Sequence, residues 1–121
     1  MELQAHNNDL DLYMGVIVER SEMTAEMLRS AALYNAATAT GVRTEDIPIV
    51  TENKQSFAGK EWNYLSYDVV FSGSKFRFGN YGAVLPKGGV IQVVFWSSPT
   101  FFDQNKAAMV EVMGTTKFTQ P

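Results

Sequence analysis

The sequence predicts an α+β domain, in which an antiparallel β-sheet of about six strands is packed by two main helices that could cover one face each. Residues 61–96 contain three long stretches typical of strands, joined by tight turns at residues 72–74 and 86–89. Helical patterns precede and follow this region, at residues 24–40 and 98–113. Residues 90–96 are apolar on both sides of the strand, which indicates cover above and below the sheet.

A β-hairpin is predicted at the start of the chain, with strands at residues 3–6 and 10–20 and a turn at Asn7-Asn8-Asp9. Apolar side chains occupy every second position of the longer strand: Leu10, Leu12, Met14, Val16 and Val18. This period of two indicates that one face of the strand is well buried.

Thr24 is a suitable N-cap for the first helix, and Glu26 lies in its first turn, where the helix dipole favours an acid. The apolar stripe of this helix is mostly alanine, so we expect the helix to sit close against its partner, and Gly41 is the expected terminator. Residues 48–51 predict a short strand begun by Pro48. We place that strand near a sheet edge, where a missing hydrogen-bond donor is tolerated.

The second half of the chain predicts three strands, at residues 61–72, 75–85 and 90–96. Ser98 can cap the helix that follows, with Pro99 at its first position. Phe102, Met109, Val110 and Met113 are expected to supply its inner face, and Gly114 is its expected end.

The chain of 121 residues has room for one core, and we assign residues 1–121 to a single domain. Its net charge of −3 provides no basic excess for phosphates, so nucleic acid is not an expected partner. Cysteine is absent, which excludes disulfides and thiol chemistry. The longest apolar run, residues 90–96, is far shorter than a membrane helix, and no targeting segment is visible. We therefore expect a soluble protein, whose compartment the sequence leaves open.

Three segments resemble the PsbP-like superfamily. The first is Val16-Ile17-Val18-Glu19 leading to the helix from Thr24, and the second is Gly59-Lys60 leading to Trp62-Asn63-Tyr64. The third is Ile91-Gln92-Val93-Val94-Phe95-Trp96, followed by a helix and then Thr116-Lys117-Phe118. The superfamily includes the extrinsic oxygen-evolving subunit of photosystem II, the Mog-type Ran-binding proteins and small bacterial domains of unknown role.

This resemblance covers nearly the whole chain by element order, and it implies a PsbP-like sandwich that acts as a binding or assembly module without shared catalytic residues. The chain departs from the family at its start, because related domains usually begin with an additional strand that carries a proline and a tryptophan. The sequence is therefore expected to lack that N-terminal strand.

Few residues offer catalytic or metal chemistry. His6 is the only histidine and is interpreted as a solvated side chain beside a turn. Asn7, Asp9 and Asp11 have the spacing of the first ligands of a calcium loop, but Leu12 replaces the required glycine and Val18 the bidentate acid. We predict no metal site and interpret the three residues as a polar turn and an exposed strand face.

Other motifs also favour a structural interpretation. Lys75 and Arg77 alternate with Phe76 and Phe78, which suggests an RNA-recognition strand. Core packing on one face explains the phenylalanines, and the cations on the other face would be solvated or face a carboxylate. Glu61, Asp68 and Asp103 fall on different elements, so the sequence does not decide whether they pair. Phosphate loops and nucleophile elbows are absent. We predict that the protein is not an enzyme and has no cofactor.

Most large aromatic residues fall in the second half of the chain. Packing explains them in the simplest case, because large aromatics are usually buried. The sharper hypothesis is an exposed interaction patch that includes Trp62, Tyr64 and Trp96.

Our first functional hypothesis is a non-catalytic binding or assembly module whose partner is an unidentified protein, bound through such aromatic anchors. The alternative is a small-molecule carrier or enzyme with a cavity between sheet and helix, lined by polar groups such as Tyr67 or Asn80. A third hypothesis is homodimerisation through an uncovered sheet face or edge.

Overall fold

The computed structural model describes residues 2–7, 12–20, 23–57, 59–86 and 88–115, with the backbone alone for residues 2–7. Its strands are β1 (Glu2–Asn7), β2 (Leu12–Glu19), β3 (Ile49–Phe57), β4 (Lys60–Phe71), β5 (Ser74–Val84) and β6 (Val90–Ser97). Its α-helices are α1 (Ala25–Thr40), α2 (Pro99–Gln104) and α3 (Lys106–Thr115), and a 3₁₀ turn covers Thr44–Asp46.

The strands form one sheet in the order β1-β2-β6-β5-β4-β3, and every neighbouring pair is antiparallel. The predicted α+β class and antiparallel sheet are confirmed. Because side chains alternate across each strand, this register sorts the residues of the central strands onto two faces of different composition.

One face, which we call the α1 face, carries Leu65, Tyr67, Phe78, Asn80 and Val94. Helix α1 packs there against β4 and β5. Its buried residues Leu33 and Ala37 form a small core with the sheet and with Ile47. The α1 helix covers only part of this face, because β6 and β2 lie to one side of it.

The opposite face, which we call the α3 face, carries Tyr64, Tyr81, Val93 and Phe95. Helices α2 and α3 cover it with three side chains that are at most 2% exposed: Phe102, Met109 and Met113. This is the larger of the two cores. It covers the α3 face, and Trp62, which belongs to it, is 1% exposed.

The ends of α1 agree with the sequence. The Thr24 hydroxyl oxygen accepts a hydrogen bond from the Met27 backbone N–H at 3.1 Å, as an N-cap does. Gly41 ends the helix with a left-handed φ of 74°, and its N–H donates to the Ala37 carbonyl.

Three element boundaries differ from prediction. Strand β3 extends to Phe57 rather than ending near residue 51, and its polar sequence suits it because it is an edge strand with largely exposed side chains. The C-terminal helical segment is broken at Asn105, whose side chain donates to the Phe101 carbonyl and competes with the helix ladder. Ser98 precedes α2 without a capping hydrogen bond from its side chain, and α3 continues through Gly114 to Thr115. The predicted turn at Asn7-Asn8-Asp9 lies largely outside the described residues.

Gly79 lets α2 approach the sheet closely. A Cβ atom built at this position would lie 2.8 Å from Cζ of Phe102 and 3.0 Å from the Tyr64 hydroxyl oxygen. Phe102 is the buried residue of α2. Because glycine has no side chain at position 79, Phe102 can pack against the sheet there.

We expect Gly79→Ala to lower the free energy of unfolding by about 1–3 kcal/mol, because the added methyl overpacks the space occupied by Phe102. Urea denaturation measures this change. Gly114→Ala is the matched control: its Cβ would meet nothing within 4 Å, and alanine in a helix should raise stability by up to about 1 kcal/mol. Equal stabilities of the two variants would contradict the role given to Gly79.

Candidate ligand-binding pocket

A row of aromatic rings crosses the α1 face. The strand register places Tyr13, Trp96, Phe78 and Tyr67 directly beside one another on β2, β6, β5 and β4. Neighbouring rings are stacked, with centroids 5.6–5.9 Å apart and interplanar angles of 3–15°. Cross-strand aromatic pairs of this kind stabilise a sheet and hold its side chains in fixed orientations.

A pocket of about 370 Å³ lies between this sheet face and α1. Helix α1 contributes mainly short side chains to its wall, among them Ala32, Ala36 and Ala39, and the sheet contributes large ones. The pocket exists because the alanines end at Cβ and leave the space above the rings unfilled. The described residues that line it are Ile17, Ala32, Asn35, Ala36, Ala39, Thr40, Tyr67, Val69, Phe71, Phe76, Phe78, Asn80, Gln92, Val94 and Trp96.

Two carboxamides lie in the otherwise apolar floor of the pocket. Asn80 on β5 and Gln92 on β6 are 7% and 6% exposed, and Asn80 Nδ2 donates a hydrogen bond of 2.9 Å to Gln92 Oε1. The two residues are diagonal neighbours, because Asn80 pairs with Val94 and Gln92 pairs with Gly82. Gly82 contributes no side chain between them, so the carboxamides can meet.

The pocket is suited to binding a neutral molecule rather than to acid–base catalysis. Among its described lining residues there is no Asp, Glu, His, Lys or Arg. Tyr67 is the one phenol in that lining, and burial raises its pKa to about 12, so its hydroxyl stays protonated at neutral pH. Such a site offers shape, apolar contact and a few hydrogen bonds.

The predicted interaction patch of Trp62, Tyr64 and Trp96 is not formed. Trp62 and Tyr64 are 1% and 7% exposed and belong to the core under α2 and α3. Trp96 lies on the α1 face, where it is half-buried and lines the pocket. Trp62 and Tyr64 are two residues apart and therefore share one face of β4, but alternation along a strand does not show that two helices cover that face.

The cavity hypothesis named Tyr67 and Asn80, and both line the pocket. Sequence reasoning missed Gln92 and the helix residues Ala36 and Ala39. Gln92 carried a usable signal, because it is the single polar residue among the apolar residues 90–96. The alanines were noticed but were expected to bring the helix close to the sheet, whereas several of them border open space.

The metal candidates receive no support from the described part of the chain. Asp9 and Asp11 lie outside the described residues, and only the backbones of His6 and Asn7 are described. Where side chains are described, no group of three His, Cys, Asp or Glu residues could hold a metal ion.

The helices described are also too short or too polar to cross a membrane.

Asp68 and Asp103 meet through Arg77 at the α3 face. The guanidinium donates to both carboxylate oxygens of Asp68, at 2.8 and 3.1 Å, and to both oxygens of Asp103 at 3.1 Å. These contacts raise the pKa of Arg77, the hydrogen bond to Asp68 most of all. Arg77 thus contacts both acids and joins α2 to the sheet, while Lys75 lies 3.7 Å from Asp68 and Lys106 lies 3.5 Å from Asp103. The expectation that Glu61 and Asp68 fall on different elements is wrong, because both lie on β4; Glu61 Oε1 is 3.7 Å from the Lys54 ammonium.

Comparison with known proteins identifies the fold without a family. No family model matches the chain, and no curated protein matches it. Among eight matching solved chains is PA94 from Pseudomonas aeruginosa, described as a protein of unknown function and a candidate regulator. The likeness covers all of this chain and 85% of that one, with a TM-score of 0.70 and 11% sequence identity. At this identity the likeness shows a shared fold alone.

We expect Tyr67→Phe to reduce the loss of stability at alkaline pH. The folded state holds the Tyr67 proton more tightly than an ordinary phenol with a pKa of 10.0, so this contribution is fully present below pH 10 and is lost as pH rises toward 12. Urea denaturation between pH 8 and 11.5 measures the change. Tyr34→Phe, at a side chain 65% exposed, should keep the wild-type profile. A Tyr67→Phe profile parallel to wild type would contradict the assignment.

We expect Arg77→Met to destabilise the fold by up to about 3–5 kcal/mol, because it removes the bidentate partner of the Asp68 carboxylate, which is 8% exposed. The exposed Lys75 ammonium, 3.7 Å from Asp68 Oδ2, would remain and reduce this cost. Asp103→Asn should cost less than about 1 kcal/mol, since Asp103 is exposed to solvent. Urea midpoints distinguish the two. A larger effect of Asp103→Asn would show that the contact to α2, rather than the buried pair, dominates.

Proposed function

We propose that this protein is a non-catalytic binding module that holds a small, uncharged and mostly apolar molecule between the sheet and α1. The observation that carries the proposal is the pocket of about 370 Å³, which is lined mostly by apolar side chains and by a few polar ones, among them the carboxamide pair of Asn80 and Gln92. Small-molecule sites are commonly concave, mostly apolar and provided with a few fixed polar groups.

The energetics of the pocket favour an apolar occupant. Water in the pocket faces the rings of Phe78 and Trp96 and the alanine side of α1, with few hydrogen-bond partners. Each Å² of apolar surface that a ligand removes from water contributes about 25 cal/mol. A charged ligand would lose hydration without meeting an opposite charge among the described lining residues, so it is disfavoured.

The rigidity of the floor also supports binding. The aromatic row stacks across four strands, so Trp96 and Phe78 are oriented before a ligand arrives. On the other side of the sheet, α2 and α3 support the same strands with a closed core. A preformed site loses less entropy on binding than one that must first be ordered.

The protein-partner and homodimer hypotheses receive less support from the geometry. The residues proposed for a protein-binding patch are divided between opposite faces, and two of the three are buried. We retain the PsbP-like relationship as a proposal about the origin of the domain, supported by element order and by helices on both faces of the sheet. The protein-partner hypothesis, the homodimer hypothesis and the PsbP-like relationship all leave the pocket unexplained.

The first test is binding of N-phenyl-1-naphthylamine, a neutral apolar fluorophore that brightens when it leaves water. We expect saturable binding to the wild-type protein. Ala36→Leu should weaken it by at least about tenfold, because the added side chain fills the space over the sheet. Fluorescence titration measures both dissociation constants.

Thr38→Leu is the matched control, since it adds leucine to the same turn of α1 at an exposed position outside the pocket lining. It should bind the fluorophore as the wild type does. Circular dichroism confirms that both variants are folded. Absence of saturable wild-type binding, or equal weakening in the two variants, would overturn the proposal.

A further inference from the structure

We infer that the ligand carries a carboxamide or lactam, a neutral group with one hydrogen-bond donor beside one acceptor, and that this group binds Asn80 and Gln92 at the pocket floor. The inference rests on the proposed function, because it needs a ligand in the pocket. It adds the chemical class of the ligand and its orientation.

One amide atom of each residue takes no part in the hydrogen bond between them. The hydrogen bond between the two residues uses Asn80 Nδ2 and Gln92 Oε1, which leaves the Asn80 oxygen and the Gln92 nitrogen. Neither carboxamide makes another hydrogen bond with the described part of the chain. Turning both carboxamides over exchanges the atoms, but one nitrogen and one oxygen still take no part in the bond.

These unused atoms are accessible from the pocket. Among the described residues, no side-chain nitrogen or oxygen is fully buried without a hydrogen-bond partner. The Asn80 oxygen and the Gln92 nitrogen are therefore not sealed in the core, and both residues line the pocket. A Cβ at Gly82 would lie 3.3 Å from Cδ1 of Leu28 and 3.6 Å from the Asn80 oxygen, so the glycine gives room to both side chains.

The pair discriminates among ligand head groups by complementarity. A carboxamide or lactam can donate to the Asn80 oxygen and accept from the Gln92 nitrogen at the same time. A carboxylate offers acceptors alone and an ammonium offers donors alone, so the first would leave the Asn80 oxygen and the second the Gln92 nitrogen without a partner. Either ion would also lack an opposite charge among the described lining residues. A hydrocarbon would cover both atoms without satisfying them, which is costly for buried polar groups.

The volume sets the size of the molecule. A space of about 370 Å³ corresponds to roughly twelve water molecules at liquid density, or roughly 12–20 non-hydrogen atoms of an organic ligand at protein-like packing. The apolar part of such a molecule would lie along the rings of Phe78 and Trp96, with its carboxamide at Asn80 and Gln92.

Three probes with the same ring system test the inference by displacing N-phenyl-1-naphthylamine: 2-naphthamide, 2-naphthoate and 2-isopropenylnaphthalene, a hydrocarbon of the same shape as the amide. We expect the wild-type protein to bind 2-naphthamide at least about tenfold more tightly than either of the others. In the double variant Asn80→Leu/Gln92→Met, which replaces both partners by apolar groups of similar shape, that preference should be lost while the hydrocarbon still binds.

The outcomes separate the two proposals. If the fluorophore and all three probes fail to bind, the proposed function is wrong and this inference falls with it. If the fluorophore binds but the wild-type protein shows no preference for the amide, the inference alone is overturned. Retention of the preference by the double variant would also overturn it. Should that variant not fold, the wild-type probe series still decides.

Discussion

The short side chains of α1 determine what the α1 face can do. A helix packed on a sheet usually fills the space between them with branched or aromatic residues, and Leu28 and Leu33 do so on one side of α1. Toward β6 the helix presents Ala32, Ala36 and Ala39 instead. The helix packs against Tyr67 at one end of the row of rings, but toward Trp96 it does not fill the space above the sheet, and a pocket remains where a core would otherwise close.

The two faces of the sheet have different roles: the α3 face stabilises the fold, and the α1 face contains the proposed binding pocket. The α3 face is filled to the point that a methyl group at Gly79 would collide with Phe102, and its edge is joined by Arg77 to carboxylates from β4 and α2. Because the same strands form both faces, this closed side fixes the positions of Phe78, Asn80 and Trp96 on the open side. The α1 face can contain an unfilled pocket because the core on the α3 face is closely packed.

Much of this architecture could be predicted from local patterns, and the pocket could not. Alternation, the Thr24 cap and Gly41 are encoded within a few neighbouring residues, so the first helix and the main strands were recognisable. The edge strand β3 was underestimated because an exposed strand needs no apolar alternation. The meeting of Asn80 with Gln92 depends on the register between two strands, and the gap above them depends on where α1 crosses the sheet. Neither the strand register nor the position of α1 can be deduced from the spacing of residues along one element.

The carboxamide pair is the feature that packing explains least. Its neighbours in the strand register are Val94 and Gly82, and the alternation of the strands already specifies which residues face inward. An apolar pair of similar shape would satisfy that pattern and would not require two polar groups to leave water, so the amides are not needed to hold the sheet together. They also line the pocket at low exposure, 7% and 6%, and the Asn80 oxygen and the Gln92 nitrogen take no part in the hydrogen bond between them. A polar pair that adds little to the fold, at the bottom of an apolar pocket, is best accounted for by a ligand that completes its hydrogen bonds.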